Sequence, residues 1–193
     1  MSFQWDQTTK LPSRNYVCGH CDANIAEEDG YIGGYRDHKG TMRVAFIYVC
    51  HFCSGPTYFD ENEIQSPESR FGETVQHINN PDVHSLYEEA RSCYSVSAFT
   101  SSVMCCRKLL MNISVAEGAK EGENFAFYVN YLNDNGHIPK NGKKWVDSIR
   151  KMGNEANHSI SLKSKDDAKL ILTFTAMLLK FIYEMPGMLG NTK

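Results

Sequence analysis

A chain of 193 residues with 41 % hydrophobic and 22 % charged side chains has the size and polarity of one medium domain, or of a small module joined to a larger one. Its net charge of −3 excludes a global electrostatic field that would draw the chain to nucleic acid or to a membrane surface. Residues 1–12 are polar and lack the apolar segment of a signal peptide. The longest apolar stretch, 170–182, is interrupted by Thr173, Thr175 and Lys180, so no membrane-spanning segment and no membrane partner are expected.

In chain order, residues 14–17 lead into the turn Cys18-Gly-His-Cys21. Residues 31–36 read as a strand, and Asp37-His-Lys-Gly40 as a turn. Residues 42–49 alternate in polarity and are rich in β-branched and aromatic side chains, as a half-buried strand should be. They run directly into a second turn, Cys50-His-Phe-Cys53, and residues 57–59 can return as a third short strand.

Two CxxC turns separated by one hairpin can each present two thiolates to a single tetrahedral ion. Cys18, Cys21, Cys50 and Cys53 are therefore expected to hold one structural zinc ion in a zinc ribbon spanning residues 1–60. Four protein ligands leave such an ion no open position for catalysis. So small a sheet has little core of its own, and the metal is expected to stabilise it. With four of seven cysteines on zinc, Cys93, Cys105 and Cys106 remain. That odd count suits a reducing cytoplasm better than a secreted disulfide framework, and the three read as small core residues. His20 and His51, inside the cysteine turns, read as surface residues of the ribbon.

Residues 61–80 are polar, with Pro67, Gly72, Asn79 and Asn80, and read as a linker ending at a helix start. There Asn80 can cap, and Pro81 suits the first helical position. Helices are expected over 82–94 and 95–116; the second places Phe99, Val103, Cys106, Leu110 and Ile113 on one apolar stripe. A shorter helix is expected over 125–133. A fourth, over 143–158, has Trp145, Ile149, Met152 and Ala156 on its buried side. A fifth begins at Ser164, where Asp167 completes a capping-box pattern, and stops at Pro186-Gly187. Residues 81–187 thus form a four- or five-helix bundle, residues 188–193 a tail, and the fold class is expected to be mainly α.

The fourth helix carries the candidate chemistry. Arg150, Asn154 and His158 follow at steps of four and share one face. An arginine that pairs with phosphate, an amide that orients it and a titratable imidazole form a set suited to phosphodiester cleavage. The same spacing also suits a solvated face or a polar network between helices. Residues 140–169 carry eight basic and four acidic side chains, a mildly positive patch around His158. Arg107, beside the apolar stripe, calls for a carboxylate partner, which Glu88 or Glu89 can supply as a structural ion pair. No phosphate-binding glycine loop, nucleophile elbow or carboxylate pair stands out.

The runs Leu86-Tyr-Glu-Glu-Ala-Arg91, Cys106-Arg-Lys-Leu-Leu110, Ile149-Arg-Lys-Met-Gly-Asn-Glu-Ala-Asn-His158 and Leu178-Leu-Lys-Phe-Ile-Tyr-Glu-Met-Pro186 resemble the domain of unknown function 4145 family over residues 80–187. The resemblance implies a small α-helical bundle related to the HEPN superfamily, often preceded by a zinc ribbon and encoded beside restriction or phage-defence proteins. It also implies a homodimer and, in the catalytic versions, a metal-independent endoribonuclease in which His158 is the acid–base and Arg150 stabilises the phosphate. Seven residues separate Arg150 from His158, where the HEPN motif has four to six. The function expected is therefore a nucleic-acid- or protein-binding adaptor with partners in RNA or a defence system, with the endoribonuclease as the alternative.

Overall fold

The computed structural model describes residues 4–139, 142–154 and 161–190, and the chain divides into two compact units between Arg70 and Phe71. The first is an antiparallel meander of five strands in the order β1 (Thr9–Val17), β2 (Asn24–Arg36), β3 (Met42–Val49), β4 (Pro56–Phe59) and β5 (Gln65–Ser66). The register pairs Tyr16 with Ile25, Gly30 with Tyr48 and Phe46 with Phe59. A bulge between Lys10 and Arg14 surrounds Pro12, which has no N–H to give a ladder.

Alternation along these strands sends Leu11, Tyr16, Ile25, Tyr48 and Phe59 to one face, where they form a core together with Cys18 and Cys50. Tyr16 and Tyr48 meet the Phe59 ring edge-on at 5.2 and 5.7 Å, and the Arg14 guanidinium lies 4.4 Å over the same ring. Gly30 is required here: a Cβ would sit 1.9 Å from the Ile47 carbonyl oxygen. At the β2–β3 turn, Asp37 Oδ1 accepts from the N–H groups of Lys39 and Thr41, and Gly40 takes a φ of 79°.

In the second unit, five helices are described: α1 (Pro81–Ser95), α2 (Phe99–Ala116), α3 (Phe125–Asp134), α4 (Lys143–Asn154) and α5 (Lys165–Leu179). Asn80 Oδ1 accepts from the N–H groups of Asp82 and Val83, with Pro81 in the first turn. Ser164 and Asp167 form a reciprocal capping box at the start of α5. The expected stripe on α2 holds, with Val103, Cys106, Leu110 and Ile113 at most 1 % exposed. Together with Ile171, Leu172, Phe174, Leu178 and Leu179 of α5, these residues make the centre of the bundle.

Four expectations are corrected. The chain is α+β rather than mainly α, with 21 % strand and 43 % helix. Helix α2 starts at Phe99 rather than at 95, because Ser97 takes a φ of 61° and breaks the helical path. Trp145 is not buried as expected: it stacks over the core residue Phe174 at a ring separation of 6.5 Å but stays 38 % exposed. Pro186 does not stop the last helix. A π turn over Lys180–Glu184, with Met185 N–H bonded to the Lys180 carbonyl, starts a new turn over Met185–Met188. Pro186 falls in the first turn of that segment, where an N–H has no required acceptor.

Residues 71–78 belong to the helical unit. Phe71, Val75 and Ile78 pack on its core. The buried Arg91 donates to the carbonyls of Phe71 and Gly72, at 3.3 and 2.9 Å, and Tyr87 Oη donates to the Glu73 carbonyl at 2.7 Å. Lys180 pairs with Glu73, and Glu184 Oε2 accepts from Gln76 N–H at 2.7 Å.

Candidate metal centre

The β1–β2 and β3–β4 connections are built alike. Cys18 N–H bonds to the Ala23 carbonyl and Asp22 N–H to the Cys18 carbonyl, both at 2.9 Å. In the second turn Cys50 N–H bonds to the Gly55 carbonyl at 3.0 Å and Ser54 N–H to the Cys50 carbonyl at 2.8 Å. The residue after each second cysteine takes a left-handed conformation, with φ of 61° at Asp22 and 58° at Ser54. Each loop is thereby closed into a knuckle that points both of its sulfurs the same way.

The four Sγ atoms lie within 4.8 Å of one another, with Cys18–Cys53 and Cys21–Cys50 both at 3.8 Å. These are four free sulfurs and not two disulfides. Such a cluster can hold a metal ion. Cys18 and Cys50 are fully buried, while Cys53 faces solvent.

The local field favours ionisation unevenly. Burial pushes the Cys18 thiol up to about 12. Burial also opposes charge at Cys50, but the N–H groups of Cys53 and Phe52 aim at its sulfur and bring it below the ordinary thiol range. Four thiolates at this spacing repel one another, and a cation at the centre removes that penalty.

A further ring of contacts fixes the knuckles. His51 Nδ1 donates to Glu27 Oε2 at 2.9 Å, while Glu27 Oε1 accepts from Glu28 and Asp29 N–H at 3.0 and 3.1 Å. Burial works against the Glu27 charge, but these donors outweigh it and hold the carboxyl below its ordinary range. His20 Nε2 donates to the Pro56 carbonyl at 2.9 Å, and its ring fills the space that a Gly55 side chain would take. Trp5 Nε1 donates to the Ser54 carbonyl at 2.8 Å, and Arg70 grips Asp22 through two nitrogens. His20 and His51 lie at the surface but are anchored by these bonds. Glu27, Asp22, Arg70 and Trp5 carry no motif-level signal; two histidines inside CxxC turns are the one clue that partners exist.

The structure places the other candidate residues apart from this centre in sequence, within the helical unit. Arg150, on α4, pairs with Asp147 at 3.6 Å. Asn154 is the last residue of α4; its side chain and His158 lie outside the described residues. Arg107 is 8 % exposed, its guanidinium 4.5 Å over the Phe125 ring, and burial pushes its pKa down. Glu88 binds Arg91, both oxygens at 3.1 Å, and Glu89 lies beside Cys93 and Cys105.

Among known proteins, the family model described as domain of unknown function (DUF4145) matches residues 88–189. No curated protein and no solved structure matches the chain.

Proposed function

This chain belongs to the DUF4145 family, matched over α1 to the last helical turn, and we propose that it is a zinc-binding adaptor whose two units present surfaces to a nucleic acid or a protein partner. The sulfur spacing carries the zinc assignment. A Zn–S bond of about 2.3 Å puts the corners of a tetrahedron about 3.8 Å apart, which is the separation of Cys18 from Cys53 and of Cys21 from Cys50. Cysteine occupies all four positions, so the ion is structural: it ties the two loops of the sheet and activates no water.

The adaptor role is supported by the exposed apolar side chains on the sheet unit, among them Ile32, Tyr35 and Phe52 at 56–69 % exposure. Cytoplasmic residence, a homodimer and a partner in restriction or phage defence belong to the same proposal. The test has two parts. Metal analysis of the purified chain should return one zinc per chain, and none when Cys18 and Cys50 are both replaced by serine. Electrophoretic shift assays with RNA and DNA, together with pull-downs, should then identify a partner. Full zinc content in the double variant overturns the metal assignment.

A second reading, a metal-independent endoribonuclease, is favoured by α4, which keeps Arg150 and Asn154 one turn apart on a helix of the matched region. In that role Arg150 stabilises the phosphate and His158 moves the proton. Incubation with total cellular RNA in EDTA decides it. Cleavage by the wild type, lost in His158→Ala, establishes the nuclease, and intact RNA with both proteins leaves the adaptor.

A further inference from the structure

Strand β2 outruns its neighbour. The β1 ladder ends where Thr9 pairs with Gly30, so residues 31–36 pair with β3 alone. The chain ahead of β1 does not continue along this stretch. Gln7 takes a φ of 60° and turns it aside, and Trp5 reaches the Tyr31 ring at 6.1 Å and the Ser54 carbonyl instead. Asp37 N–H bonds to the Thr41 carbonyl at 3.0 Å, which fixes the alternation of the β2–β3 ladder. Tyr31, Gly33 and Tyr35 bond toward β3, and the N–H and C=O groups of Ile32 and Gly34 face outward. Among the described residues no backbone group pairs with them.

The other edges of the sheet are guarded. Strand β1 carries Lys10, Pro12 and a bulge, and β5 is two residues long and followed by Pro67. Residues 32–35, Ile-Gly-Gly-Tyr, have no charge, no proline and no bulge, and all are exposed. A Cβ on Gly33 would meet nothing within 4 Å, so the ground beside the edge is open as well.

We propose, building on the adaptor reading, that this edge is a docking site for an extended segment of a protein partner, which adds as a strand beside β2. The backbone groups of Ile32 and Gly34 supply the ladder bonds, and the side chains set what binds. Ile32, Gly34 and Arg36 share one face, because alternate residues of a strand do. Met42 is paired with Arg36, and its Cε lies 2.8 Å from where a Gly34 Cβ would stand. Ile32 and Met42, both exposed, make an apolar shelf there. The turn end of the shelf is basic. Residues 31–59 hold Arg36, Lys39 and Arg43 against one acidic residue, Asp37, which Arg43 and two turn N–H groups already take up. On the opposite face, Glu61 accepts from Tyr35 Oη at 3.5 Å. The matching segment therefore carries apolar side chains at two alternate positions, over Ile32 and Met42, and an acidic one at the next, beside Arg36.

The test sets the full, zinc-loaded chain against a display library of random peptides of about ten residues, enough to span 31–36 at about 3.3 Å per residue. Enriched peptides are expected to alternate apolar residues and to end the alternation in Asp or Glu. A synthesised peptide from that set should slow amide hydrogen exchange at Ile32 and Gly34, while Gly33 and Tyr35, bonded to β3, are slow with and without it. Ile32→Pro removes an outward N–H and leaves the β3 ladder whole, so affinity should fall about tenfold or more. Arg36→Glu should lower affinity too and leaves the backbone intact, so it decides the matter where the proline variant fails to fold. The proposal is overturned if no peptide is enriched, or if the enriched peptide binds both variants as tightly as the wild type. It is also overturned if Ile32 and Gly34 are protected without peptide in a concentration-dependent dimer, which gives the edge to a second copy of the chain. RNA or a captured protein bound equally by the wild type and both variants removes the edge and leaves the adaptor reading standing.

Discussion

His51 and Glu27 are joined at 2.9 Å, so the second cysteine knuckle is fastened to strand β2 by a bond that uses none of the four sulfurs. The carboxylate is 7 % exposed and is shared with two backbone N–H groups of its own strand. It thus transmits the rigidity of the sheet to the residue beside Cys50.

Glu27→Gln is therefore expected to leave the cysteines in place and loosen their frame. Residues that orient metal ligands are worth about 10- to 100-fold in affinity when removed. Competition with a chromophoric chelator should show zinc leaving about tenfold faster or more from the variant. Equal release rates would mean that the sulfurs need no such support.

The buried thiol of Cys106 makes the helical unit sensitive to alkali. Burial pushes it up to about 12 from an ordinary value of 9.0, so the folded state favours the proton more than the unfolded chain does. Stability tied to that thiol is fully present below about 9 and is lost as pH rises toward 12. The slope approaches about 1.4 kcal/mol per pH unit for one such group. Urea unfolding followed through the helical signal should show this decline, and Cys106→Ala should flatten it. The same slope in that variant would assign the alkaline loss to other groups.

Helix entry is set by side-chain oxygens at two places. Replacing Asn80 by alanine frees the N–H groups of Asp82 and Val83, and Ser164→Ala dismantles the box with Asp167. Each is expected to cost about 1 kcal/mol. The two caps lie on different helices, so the double variant should lose close to the sum, as read from thermal or denaturant midpoints.

Arg91→Met tests how residues 71–78 are held. The guanidinium is 3 % exposed, binds both oxygens of Glu88 and reaches two carbonyls of that segment. Losing these charge-assisted bonds should cost about 2–3 kcal/mol. Limited proteolysis should then cut within 71–78 before it cuts the helices. An unchanged cleavage pattern would show that Phe71, Val75 and Ile78 anchor the segment by packing alone.

The parts of the fold written in local chemistry are legible in the sequence. The paired CxxC turns bring Cys18, Cys21, Cys50 and Cys53 together, and Asn80-Pro81 and Ser164 with Asp167 mark helix starts where they occur. The hidden parts depend on distant partners. Residues 24–30 look too acidic for a strand until Glu27 is seen with His51 and two N–H groups, and Gly30 is seen making room for the Ile47 carbonyl. Residues 71–80 look like a linker because their polar side chains outnumber Phe71, Val75 and Ile78, yet Arg91 and Tyr87, which take up their carbonyls, lie on α1. The mainly-α expectation fails for the same reason: β2 is thirteen residues long, and β5 is a two-residue strand too short to leave a pattern.

The π turn over Lys180–Glu184 works as a phase shifter. One residue on an α-helix corresponds to about 100° of rotation, so the extra residue of a π turn re-aims every side chain beyond it. In this chain the re-aimed end of the helix carries Glu184, gripping Gln76, and Gly187, so close to His77 that a Cβ there would stand 2.6 Å from that side chain. Deleting a single residue between 180 and 184 would restore the α period and swing both contacts away together. The segment ahead of α1 is thus fastened by the angular phase of a helix about a hundred positions later in the chain.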